Sequence, residues 1–205
     1  MEPKGSTRTI LPPDFWGLPT PEMARRLLGC VLRHETPQGP CAGIIVETEA
    51  YLAHDDPGCM AAHSHTPRND PMFGPPGTAF VYLTYGMHHI LNVVAGPEGV
   101  PEAVLIRALE PLEGLELMAV RRGTQDVLRL CKGPACVCQA LGVDRSHNRA
   151  DLRTGPLRIL APPPDREPVK PEEITTTTRI GLAPGKGAHL PLRFYVTASR
   201  FVSRR

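Results

Sequence analysis

The stretch Gly43-Ile-Ile-Val-Glu-Thr-Glu-Ala-Tyr-Leu52 constrains this chain more than any other. Its β-branched, apolar content reads as a strand, in which successive side chains point to opposite faces. Ile44, Val46, Thr48 and Ala50 then fall on one face, and Ile45, Glu47, Glu49 and Tyr51 on the other. Carboxylates on a strand apolar enough for a sheet centre cost free energy unless they are paired or put to use. Taken by itself, the pattern reads more simply as an edge strand with one wet face.

The flanks extend this reading. Cys30 to His34 is strand-like, and Pro37-Gln38-Gly39-Pro40 is a turn into the acid-bearing strand, which makes an antiparallel pair. Upstream, Thr20-Pro21-Glu22 predicts a helix start with a hydroxyl N-cap and proline at the first position, and Gly29 predicts its close. Residues 1–13 are polar and proline-ended and are expected to form a flexible N-terminal arm. Residues 14–205 are expected to form one domain, long enough for a hydrophobic core.

Downstream, residues 53–77 form a long loop rich in Asp, Gly, Pro and His, a kind that often carries function. Residues 78–85 and 88–95 predict a hairpin with Tyr85-Gly86-Met87 at its tip. A tyrosine and a methionine there expose apolar surface that calls for a partner. The strand 103–108 carries Arg107, which needs an anionic partner if it is buried. Residues 114–122 and 133–141 predict helices, and 157–160, 175–178 and 192–196 predict strands. The expected class is mixed α/β (α+β): a single domain with a curved antiparallel sheet, flanking helices and a protruding β-hairpin.

Composition narrows the function classes. A net charge of +2 neither demands nor excludes a nucleic-acid partner. No apolar run approaches a membrane span, and the N-terminus lacks signal-peptide order, so an intracellular protein with no membrane partner is expected. The six cysteines are expected to be free thiols. Cys131, Cys136 and Cys138 lack the paired spacing of a structural zinc site, and no metal or other cofactor is expected.

Several long blocks then carry a resemblance. They are Val46-Glu-Thr-Glu-Ala-Tyr51, Ala61-Ala-His-Ser64, Thr66-Pro-Arg-Asn69, Met72-Phe73, Pro76-Gly-Thr78, Val81-Tyr-Leu-Thr-Tyr-Gly-Met87, Leu105-Ile-Arg-Ala-Leu-Glu-Pro-Leu112 and Pro191-Leu-Arg-Phe-Tyr-Val196. Together they resemble the alkyladenine (3-methyladenine/methylpurine) DNA glycosylase family, over Asp14 to Ser203. The resemblance implies a monofunctional enzyme that flips out alkylated, and by extension deaminated, purines from duplex DNA and hydrolyses their N-glycosidic bond. It implies a monomer whose partner is double-stranded DNA containing a damaged purine, in the nucleoid or cytoplasm of a bacterium or the nucleus of a eukaryote. A non-catalytic damaged-DNA-binding protein on the same fold is the alternative.

By the same resemblance, Glu49 is the general base that activates water and Arg107 helps to hold it. Tyr51, His63 and Tyr82 are walls around the flipped base, Asn92 disfavours the guanine amino group, and Leu105 lines the pocket. Tyr85 is the wedge in the duplex with Met87 beside it, and Arg145 reaches the DNA backbone. Without the resemblance, Tyr82 reads as core, His63 as a solvent histidine and Arg107 as a structural ion pair. Glu47 and Glu49 lie only ~7 Å apart on one face of a strand. They cannot flank a sugar from opposite sides, so Glu47 is read as a structural partner. Cys136 stands where the family commonly carries a lysine, Phe80 where a tyrosine is common, and His88 and His89 where aromatic or apolar residues are usual. The loop between Tyr51 and His63 is longer than in the mammalian type.

Overall fold

The acid-bearing strand lies at the centre of the sheet and not at its edge. The structure, a computed structural model, describes residues 9–205. In chain order it contains α1 (Thr20–Arg26), β1 (Val31–Thr36), β2 (Gly39–Tyr51), β3 (Ala79–Thr84), β4 (His88–Ala95) and β5 (Glu102–Glu113). Then come α2 (Leu115–Arg122), α3 (Val127–Leu130), α4 (Pro134–Leu141), β6 (Leu157–Leu160), β7 (Ile174–Thr177) and β8 (Arg193–Val196). The strands pair antiparallel in the order β3-β4-β5-β2-β1-β6, and β7 with β8 forms a ribbon joined to β2. This is the expected mixed α/β domain around a curved antiparallel sheet.

Why β2 has no wet edge follows from its length. β5 covers one side of it from Ala42 to Tyr51. On the other side β1 pairs residues 39–44 and β8 pairs Glu47 to Glu49. Two short partners therefore share the second edge, and Glu47, Thr48 and Glu49 are fully buried.

Strict alternation along β2 also fails, and this positions the site. Ile45 pairs with Leu109 and Glu47 with Ala108, so Val46 is an extra residue on β2. Thr48 then pairs with Ile106, so Arg107 is an extra residue on β5. A bulge re-aims the side chains beyond it. Ile45 joins the main core together with Ala50, and Leu109 joins it together with Ile106. Parity thus reverses across each bulge. Ile45 does not share the face of Glu47, Glu49 and Tyr51, as uniform alternation predicts.

The main core lies between this sheet and helices α1, α2 and α4, with Met23, Leu27, Met118, Val137 and Leu141 packed on strand residues Ile45, Leu91, Ile106 and Phe194. α4 ends where Gly142 takes φ 69°, a left-handed position suited to glycine. At α1 the expected cap is absent: Pro19 is the N-cap, and the Thr20 hydroxyl donates instead to Glu102 on β5. Thr20 is itself the first helical residue and is buried, so its hydroxyl meets a tertiary acceptor and does not cap the helix. α3 was not foreseen; it is a single turn capped by Asp126, whose side chain accepts from the Leu128 N–H.

Two segments are better ordered than their composition suggests. Residues 1–8 of the expected arm lie outside the described residues. Residues 9–13, however, run beside β6, where Ile10 bridges Leu160 and Leu11 is buried. The loop 53–77 is packed around Asn69, whose side chain accepts from the Thr66 N–H (2.7 Å) and donates to the carbonyls of Ser64 (2.8 Å) and Met60 (3.2 Å).

The β3–β4 hairpin ends in a tight turn closed by the Met87 N–H on the Thr84 carbonyl. Its central residues, Tyr85 and Gly86, have φ 51° and 70°, both positive as a type I′ turn requires. That turn favours Asn-Gly, and a tyrosine there costs about 1 kcal/mol. Tyr85 and Met87 are nonetheless 86% and 70% exposed. Tyr85→Asn is expected to stabilise the fold by up to ~1 kcal/mol in a urea titration. A loss of stability would show that Tyr85 packs usefully in the folded chain. Strain and exposed apolar surface together mark the tip as a site kept for something other than stability.

Candidate active site

A cleft of about 420 Å³ opens between the hairpin, β5 and the loop after β7. Tyr51, Tyr82, Tyr85, Asn92, Leu105 and Arg107 all line it, with Ile180 and Leu182 across from the hairpin. Each side chain is delivered by the pattern above. Beyond the Val46 bulge Tyr51 lines the cleft with Glu49 behind it, and the residue of the β5 bulge, Arg107, meets Glu49 there. Asn92 on β4 is buried, and its amide donates to the Phe80 carbonyl at 3.2 Å. Tyr82 lies against Phe80, with the Arg68 guanidinium over its ring at 5.1 Å. Burial raises the Tyr82 phenol to about 12, so it stays neutral.

Glu49 sits behind the cleft wall. Its Oε1 accepts from the Ile180 N–H at 2.8 Å and lies 3.2 Å from Arg107 Nη1. Its Oε2 accepts from the Tyr51 hydroxyl at 2.9 Å. Burial pushes the Glu49 carboxyl above the usual carboxylate range, opposed by Arg107, the Ile180 N–H and the Tyr51 hydroxyl. Burial and the neighbouring Glu49 also hold Tyr51 well above the ordinary phenol range, so it remains a donor.

Glu47 does a different job. Its Oε1 accepts from Arg107 Nε and Arg193 Nη1, each at 3.0 Å, and its Oε2 accepts from the Ser203 N–H at 2.6 Å. Arg107 is therefore a bridge, with Nε on Glu47 and Nη1 on Glu49. Two carboxylates face two guanidiniums, which balances the buried charge. Arg193 also donates to the Arg204 carbonyl at 2.7 Å, so the chain's C-terminal residues complete this cluster.

Above the cleft, Tyr85 and Gly86 share a shallow depression with Arg68 and Arg145. Both arginines are thus placed beside the exposed tip. Besides Glu49, two expected residues line neither hollow: Met87, exposed at the tip, and His63. It is exposed on the loop and does not line the cleft, where Gly58 and Met60 stand instead. The backbone on either side of it is held by the Asn69 amide, and its ring stays in solvent. Among the described residues, no group of three or more His, Cys, Asp or Glu side chains could hold a metal. All six cysteines are free.

The sequence model of the methylpurine-DNA glycosylase family matches residues 14–200. The chain belongs to the methylpurine-DNA glycosylase family. Relatives in this glycosylase family include a protein of Methanoculleus marisnigri that is 50% identical over 200 residues, covering 95% of this chain and 99% of its own. A protein of Rubrobacter xylanophilus is 50% identical over 175 residues, covering 85% and 87%. One of Carboxydothermus hydrogenoformans is 44% identical over 196 residues, covering 96% and 100%. Each of the three is named "Putative 3-methyladenine DNA glycosylase".

The residues that sequence reasoning missed are those that hold the cleft's phenol and the carboxylate behind it. Ile180 acts through its backbone N–H, which no side-chain pattern reveals. Arg179 and Asp56 form a fully buried ion pair behind Tyr51. A signal existed for Arg193 alone, as a charged residue inside a predicted strand. Among the described residues, no helix is long and apolar enough to cross a membrane.

Proposed function

We propose that this chain excises alkylated purines from duplex DNA, using water, as the first step of base excision repair. The observation that carries this reading is a buried carboxylate, Glu49, held by Arg107 at 3.2 Å behind a tyrosine-lined cleft. Cleavage of an N-glycosidic bond passes through an oxocarbenium-like sugar, which a nearby carboxylate stabilises. Glu49 takes a proton from water, the water oxygen bonds to the sugar carbon, and the base leaves with the electrons of the broken bond. Reaching that bond requires flipping the nucleotide out of the stack, at a cost of roughly a few kcal/mol. Tyr85 at the exposed tip fills the vacated stack, with Met87 beside it, and offsets this cost. Arg145 and Arg68 flank the tip for the phosphate backbone.

Tyr51 and Tyr82 stack on the flipped base. A cationic alkylated purine gains about 0.5–2 kcal/mol at such a face, whereas neutral hypoxanthine gains no cation–π attraction. Asn92 and Leu105 complete the pocket, and Asn92 disfavours the exocyclic 2-amino group of guanine. His63 has no part in this scheme.

The test is single-turnover excision of 3-methyladenine from methylated duplex DNA across pH. Free base is expected, with the strand intact and no adduct trapped by borohydride. Catalysis needs the Glu49 carboxylate, and burial raises its pKa, so activity is lost as pH falls through a value above the ordinary ~4.3 of glutamate. A trapped adduct would assign the attack to an amine. Tight binding of the lesion without release would make the protein a damage-binding module.

A further inference from the structure

The geometry points to Arg179 as a positioning residue for the Tyr51–Glu49 pair, acting with Asp56 from behind the cleft. This rests on the reading of Glu49 as the base. Arg179 and Asp56 side chains are both fully buried. Arg179 Nη1 donates to Asp56 Oδ2 at 2.6 Å and to the Ala50 carbonyl at 2.9 Å. Its Nη2 donates to Asp56 Oδ1 at 2.5 Å and to the Gly187 carbonyl at 3.4 Å. Asp56 in turn accepts from the Leu52 and Gly58 N–H groups, each at 3.0 Å. One ion pair therefore grips the backbone on both sides of Tyr51.

It also grips the ring. The Arg179 guanidinium lies over the Tyr51 ring, 4.5 Å from its centroid. Tyr51 lines the cleft and Arg179 does not, so the cation sits against the ring from the protein side. The next residue, Ile180, donates its N–H to Glu49. Tyr51 donates its hydroxyl to the same carboxylate. Two of the contacts that hold Glu49 are thus set by where Arg179 is anchored.

The surroundings are shaped to admit this guanidinium. A Cβ at Gly58 would stand 2.9 Å from Arg179 Nη2, and one at Gly187 would stand 3.0 Å from it. Yet Arg179 Nε is buried without a hydrogen-bond partner among the described residues. A buried ion pair is a poor route to stability compared with apolar residues of the same volume. What a bidentate pair offers is a fixed geometry. Here that geometry fixes a phenol and an amide on a carboxylate. Hydrogen bonds to the charged form favour it, so Arg179 helps keep Glu49 ionised beside Arg107 and Glu47 without touching substrate.

The test compares Arg179→Met combined with Asp56→Asn, which removes both charges together, with Arg179→Lys alone. Single-turnover excision is followed against pH, with the active fraction set by titration with lesion duplex. The double variant is expected to lose about tenfold in rate constant at pH 7, as small misplacements do. Its acid limb should move to higher pH, and Arg179→Lys should lie between it and the wild type in both. A wild-type rate constant and acid limb, with only the active fraction reduced, would reduce Arg179 to a structural role. Should the double variant not fold, the lysine variant decides on the same two readouts. The wild type and Glu49→Gln are run alongside. A wild type that releases no base overturns the reading of Glu49, whereas a wild type that excises beside an unshifted Arg179 series overturns this inference alone.

Discussion

Replacing Glu49 by glutamine is expected to lower the single-turnover excision rate by about 10²–10⁴-fold, the usual contribution of a positioned general base. Binding of lesion-bearing duplex should survive, because the cleft walls and the Tyr85 tip are untouched. Glutamine keeps a carbonyl oxygen for the Ile180 N–H, while its NH2 group takes the place of the other oxygen and donates to the Tyr51 hydroxyl oxygen. Its effect on folding should run the other way. Burial raises the Glu49 pKa, so holding the side chain ionised costs the folded chain free energy at neutral pH. A folded pKa above the unfolded one means that this stability is present at low pH and lost as pH rises through the folded value. The glutamine variant escapes that loss. It should melt at or above the wild-type temperature at pH 7, with the difference closing toward pH 4. A variant that excises at the wild-type rate would require another base.

Arg107→Met should be the most damaging single change to stability. Arg107 bridges Glu47 and Glu49 and is itself buried. Removing it leaves two buried carboxylates with Arg193 as their remaining ion-pair partner among the described residues. Breaking a buried pair in this way typically costs about 3–5 kcal/mol. That is a large part of the roughly 5–15 kcal/mol available to a domain, and it lowers the melting temperature by on the order of 10 °C. Loss of Arg107 also removes the largest influence that keeps the Glu49 pKa down, so the residual activity should need higher pH than the wild type. By the same sign, the stability deficit should be greatest above the raised Glu49 pKa and shrink in acid. Unchanged stability would mean that the carboxylates relax into solvent, and the site would then be far looser than these distances imply.

Glu47 shows why a shared face does not imply a shared role. From spacing alone, two acids on one strand face are equivalent. In the folded chain Glu47 is saturated by Arg107, Arg193 and the Ser203 N–H. Glu49 keeps a neutral phenol on one oxygen and lies directly behind a cleft-lining residue. The sequence reading of Glu47 as a structural partner named no residue it pairs with; in the fold these are Arg107, Arg193 and Ser203. The partners from residues 193 and 203 lie far along the chain, and no local pattern links them to it.

Local signals by themselves determined most elements. The hairpin 88–95 return, the strand 157–160 and the helix stop at Gly142 follow from β-branched runs and from a residue that tolerates positive φ. Glu49, Tyr51, Tyr82, Leu105 and Arg107 were legible because they sit in long matching blocks, with Asn92 on the return strand of the hairpin, and the fold places these residues in or directly behind one cleft. Tertiary structure alone decided three things. It made β2 central, because β1 and β8 share its second edge. It reversed the faces at Val46 and Arg107, because a bulge depends on the partner strand and leaves no mark in alternation. It supplied Arg179, Asp56 and the Ile180 N–H, because buried ion pairs and backbone donors acquire partners only when distant segments meet.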